Sequence, residues 1–96
     1  MDFGRTIREL RRARGWSVYE LADRIGKTAG YISKIEARGE IPSPEMIVTL
    51  ATALHTDPEE LVKLAKRAKT EQAASTIERK YDEALILYRK GKKKRS

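Results

Sequence analysis

Ninety-six residues can hold one packed core and an appendage, but not a second independently stable domain. With no cysteine and one histidine, disulfide frameworks, thiolate chemistry and Cys/His zinc sites are excluded or nearly so, and neither a cofactor nor a metal ion is expected. The net charge of +7 suits a polyanionic partner, but residues 1–66 carry 11 basic and 10 acidic side chains while residues 67–96 carry 10 and 4, so the excess lies in the C-terminal third and says little about the rest. The N-terminus lacks the apolar stretch of a signal peptide, and no run of about 18 apolar residues could span a bilayer. A soluble, cytoplasmic protein with no membrane partner is therefore expected.

In chain order the pattern is one of short helices separated by Gly, Ser or Asp-Pro signals, with no period-2 strand. The first helix is predicted from about Arg5 to Ala13, with Ile7 and Leu10 facing inward and Gly15 ending it. Ser17, followed three residues later by Glu20, makes a capping box and starts a second helix, Val18 to about Ile25. Gly26 breaks it, and Thr28 caps a third helix that runs to about Ala37 with Ile32 and Ile35 on its inner face. Ser43-Pro44-Glu45 opens a fourth, carrying the stripe Ile47, Leu50, Ala51 and Leu54. Asp57-Pro58 opens a fifth in the same way, with Leu61, Leu64 and Ala65 inward.

Beyond Lys66 the sequence KRAKTEQAAS reads equally as a linker or as the exposed continuation of the fifth helix. Ser75 and Glu78 then offer another capping box, and Ile77, Tyr81, Ala84, Leu85 and Tyr88 recur at helical spacing up to Gly91, predicting a sixth helix. GKKKRS has no periodicity and much like charge, so a disordered basic tail is expected. The division is thus residues 1–66 as the domain, 67–90 as a helical extension and 91–96 as the tail.

Leu21-Ala22, Gly26, Ile32, Ile35 and Glu36, with Ser17 ahead of them and Pro42-Ser43 behind, resemble the Cro and phage-repressor (XRE) family of helix-turn-helix regulators. The resemblance covers roughly Phe3 to Leu64. It implies an all-α fold, a five-helix lambda-repressor-like domain with an additional C-terminal helix and basic tail. It implies a sequence-specific transcriptional regulator, read here as a repressor, that binds double-stranded DNA with the third helix, about residues 28–37, in the major groove. Ser17, Ala22, Gly26, Ile32 and Glu36 would be structural. Ala29, Gly30, Tyr31, Ser33 and Lys34 would lie near base edges or phosphates, with Thr28 at the helix start. Lys34 is the first candidate for a guanine contact. Val18 would present a free N–H to phosphate, Lys27 and Arg38 are further phosphate candidates, and Arg11 would pair with Glu36 while also reaching a phosphate.

Three departures from that pattern thin the base-reading set. Val18 stands where the family usually has glutamine, Lys27 where it is usually apolar, and Ala29-Gly30 where longer polar residues are common. Specificity then leans on Lys34 and Tyr31, with groove shape or the 38–43 loop adding the rest. His55, where the family generally turns with glycine, reads as a surface turn residue. The Ile77–Tyr88 stripe could fold back on its own domain, pair with a second copy in a homodimer whose recognition helices sit about 34 Å apart, or grip a protein partner as in an antitoxin. No phosphate loop, paired carboxylates or activated nucleophile is present, so an enzyme is not expected.

Overall fold

The computed structural model describes residues 2–95 of the chain. They form α1 (Phe3–Ala13), α2 (Val18–Arg24), α3 (Ala29–Arg38), α4 (Pro44–Ala53) and α5 (Pro58–Arg95), with no strand among the described residues. The first N–H groups of a helix have no partner inside it, so an oxygen side chain just ahead stabilises the start. Asp2 accepts from the Arg5 N–H at 2.7 Å, Ser17 from Glu20 at 3.1 Å, Thr28 from Tyr31 at 3.2 Å and Ser43 from Met46 at 3.2 Å. The Asp2 cap starts α1 at Phe3, two residues ahead of the expected Arg5.

Apolar faces of all five helices meet in one core. Phe3 and Ile7 from α1, Leu21 from α2 and Ile32 and Ile35 from α3 are buried together with Ile47 and Leu50 from α4, Leu54 at its C-terminal cap, and Leu61 and Ala65 from α5. α1 and α2 both pack on α3, and α4 packs on α5. At Gly4, α1 comes so close to α3 that a Cβ would run into the Ile35 carbonyl oxygen. A glycine inside a helix costs about 1 kcal/mol relative to alanine, and here it allows the two backbones to touch. His55 takes a φ of 54° in the exposed turn after α4, the conformation glycine adopts most readily.

The fifth helix is one unbroken element of 38 residues. The separate sixth helix expected from Ser75 is its continuation, with Thr70 and Thr76 hydroxyls donating to carbonyls one turn back at 2.8 and 3.0 Å. The stop expected at Gly91 and the unstructured tail after it are replaced by helical backbone through Arg95, and Ser96 lies outside the described residues. From Glu71 to Gly91 every side chain is exposed, and the molecule measures 63 × 25 × 20 Å. No helix among the described residues is long and apolar enough to cross a membrane.

Candidate nucleic-acid interface

Helices α2 and α3 form a rigid hairpin because each of its joints has a local hydrogen-bonded solution. At the start of α2 the capping box is closed both ways, with the Glu20 carboxylate accepting from the Ser17 N–H at 3.3 Å. At its end Gly26, at φ 68°, lets the Lys27 N–H reach back to the Ala22 carbonyl at 2.9 Å and its own N–H to Asp23 at 3.3 Å. That pair of bonds satisfies carbonyls the helix would leave free and fixes the direction of the exit. Ala22 is buried where α2 crosses α3, and Thr28 begins α3 two residues after the glycine.

One ion cluster fastens the hairpin to α1. The Glu36 side chain, only 3% exposed, accepts from Arg11 Nε at 2.8 Å and Nη2 at 2.9 Å, a two-point fork. Arg11 Nη1 donates to the Trp16 carbonyl at 2.7 Å, so one guanidinium joins α1, α3 and the segment entering α2. The hydrogen bond to Glu36 holds the Arg11 pKa above its ordinary value, burial opposes this, and the charge of Glu36 adds to it. Arg8 also donates to Glu36, at 3.3 Å, and its side chain is 41% exposed. Of these two arginines Arg11 lies inside and Arg8 is the one that meets solvent.

With Ile32 and Ile35 buried, the rest of α3 is left for solvent. Lys27, Thr28, Gly30, Ser33, Lys34 and Arg38 are all exposed along the hairpin, while Val18, Ala29 and Tyr31 are half-buried at its edge. Lys27 Nζ stands 5.3 Å from the Tyr31 ring centroid, a cation–π distance. Burial, and then the nearby charge of Glu40, push the Tyr31 phenol up, so it stays a neutral donor at neutral pH. Tyr19, which the sequence reading passed over, is strongly exposed and lines a shallow cleft with Asp23, Lys27, Thr28 and Ala29. Two other features escaped it. Arg24 stacks 3.9 Å from the Trp16 ring, and Gln72 of α5 donates to the Gly39 carbonyl at the end of α3 at 2.8 Å. Arg8 was readable from its i, i+3 spacing to Arg11; the Gln72 contact spans 33 residues and left no local signal.

A family model described as helix-turn-helix matches residues 7–61. Among curated proteins, the competence pilus inhibition repressor of Acinetobacter baylyi is 32% identical over 71 residues, which are 74% of this chain and 64% of that protein. The chain thus spans under two thirds of the length of that relative. Among solved structures, the restriction-modification controller protein C.AhdI from Aeromonas hydrophila is similar with a TM-score of 0.57 at 41% identity, covering 62% of this chain and 86% of that one.

Proposed function

The chain belongs to the helix-turn-helix family of DNA-binding regulators, and from that premise we propose that it is a sequence-specific repressor that binds a double-stranded operator as a two-fold homodimer, with α3 in the major groove. The observation that carries this reading is the split character of α3. Ile32 and Ile35 anchor one side in the core, and Gly30, Ser33 and Lys34 stand free on the other with Lys27 and Arg38 at its two ends. A major groove admits one α-helix and displays a donor and acceptor pattern that distinguishes all four base pairs. Lys34 is the side chain placed to read a base, and Lys27 and Arg38 to neutralise phosphates. Arg11, with its donors engaged by Glu36 and Trp16, holds α3 at the angle from which it reads. The repressor role accords with the Acinetobacter relative, itself named a repressor.

The experiment is selection of binding sites from a random duplex pool at physiological salt, repeated with Lys34→Ala. The reading expects a palindromic motif, and a substitution that relaxes one base position by about 1–3 kcal/mol. Lys27→Ala should weaken all sequences alike and lower the salt slope by about one ion. Enrichment of no motif, with affinity still falling steeply with salt, would leave a non-specific binder and end the repressor reading.

A further inference from the structure

We infer that the exposed half of α5 is the homodimer contact, pairing antiparallel with the same segment of a second copy. The inference rests on the dimeric repressor reading and names the surface it leaves open. Its starting point is a change of side along one helix. Leu61, Ala65 and Ala68 turn toward the core, but the line Ile77, Tyr81, Tyr88 lies roughly half a turn away round the axis. The helix therefore cannot bring this stripe onto its own domain, and the side chains stay open, Tyr81 being 71% exposed.

The spacing is that of a two-helix seam. Ala74, Tyr81 and Tyr88 recur every seven residues, as do Ile77, Ala84 and Gly91, so the two sets alternate at threes and fours. Leu85 and Leu87 flank the seam, both exposed. Tyr81 and Tyr88 alone offer on the order of 300 Å² per chain, and the leucines and Ile77 extend the patch toward the roughly 800 Å² per partner of a specific interface.

Size and charge both select the antiparallel arrangement. In a parallel pair each tyrosine faces its own copy and each alanine faces an alanine, giving layers of unequal width. With the two-fold axis at the level of Ile86, Tyr81 faces Gly91 of the second copy and Ala84 faces its Tyr88, large against small in the central layers. Leu85 and Leu87 then flank their own counterparts. Gly91 fits this: a Cβ there would meet nothing within 4 Å in its own chain, so nothing internal calls for glycine in a helix. Residues 71–83 carry four acidic and two basic side chains, whereas 84–91 carry two basic and none acidic. Antiparallel pairing sets Asp82 and Glu83 level with Lys90 and Arg89 of the other copy, and parallel pairing sets like beside like. Lys92, Lys93, Lys94 and Arg95 extend the basic end, so residues 71–95 carry four acidic and eight basic side chains, with all four acidic ones at or before residue 83. About 20 residues of helix separate Lys66 from the axis, so the two domains stand about 60 Å apart, nearer two turns of duplex than the single turn of about 34 Å that the family resemblance implies.

Because the chain has no cysteine, Ser75→Cys gives a single spin-label site on the full-length protein. Antiparallel pairing expects a label separation of roughly 33 Å along the axis, and a distance under about 20 Å would establish parallel pairing and overturn the inference. The double variant Leu85→Asp, Leu87→Asp should weaken self-association about a hundredfold by light scattering with the domain's melting unchanged. A dimer that persists in that variant places the contact elsewhere and also overturns it. Binding of the monomeric variant to a single half-site would keep the repressor reading whichever way the pairing falls; a paired protein that selects no DNA motif would remove that reading and leave the pairing intact.

Discussion

The two halves of α5 have similar apolar content and opposite fates. Leu61, in the first half, is 3% exposed against α4 and the core, while Leu87, in the second, is 70% exposed. Nothing in their chemistry distinguishes them. What differs is whether another element of the same chain lies on the side where the helical period puts them. In the first half the hairpin of α4 and α5 closes over the stripe, and in the second the stripe has turned away from the domain and no other element among the described residues covers it. An apolar face marks a contact, but only the direction of the face says whether the contact is inside the molecule.

Substitutions should separate the halves by size of effect. Leu50→Ala, in the fully buried part of the core, should cost about 3–4 kcal/mol in urea unfolding, the transfer loss plus a cavity. Glu36→Ala should cost roughly 3 kcal/mol, because it strands the Arg11 guanidinium beneath α3; Arg11→Met in the same background should recover a large part of that loss by removing the stranded charge. Gly26→Val should cost about 2 kcal/mol, since a β-branched residue is strained at φ 68°. Ser17→Ala should cost about 1 kcal/mol for one lost cap. Leu87→Gln should change unfolding by less than about 0.5 kcal/mol when measured at concentrations too low for self-association. A large effect there would mean that the exposed half is energetically part of the domain.

Much of the hairpin was legible because its determinants are local. Ser17, Thr28 and Ser43 each announce a helix within three residues, Gly26 a turn, and Ile32 with Ile35 an inner face. Gly4 was not legible, since the need for a missing Cβ lies in the Ile35 carbonyl, 31 positions along the chain. The continuity of α5 through Ser75 was not legible for a different reason. Ser75 and Glu78 spell a helix start, but the signature is used only where the preceding chain is not helical. Here Ala73 and Ala74, strong helix formers, follow a helix already propagating from Pro58, so no N–H needs a cap. The exposed placement of Lys27, Lys34 and Arg38 follows directly from the inward period of Ile32 and Ile35, whereas the base or phosphate each one meets is a property of the DNA and is not written in the chain.

The rod formed by α5 also governs how the protein moves through solvent. Its radius of gyration is 18.6 Å, against about 12 Å for a compact chain of this length, so a single copy tumbles and diffuses like a considerably heavier sphere. Elution volume from a sizing column would overstate its mass and mimic a dimer. Frictional drag and absolute mass are therefore two separate observables for this molecule.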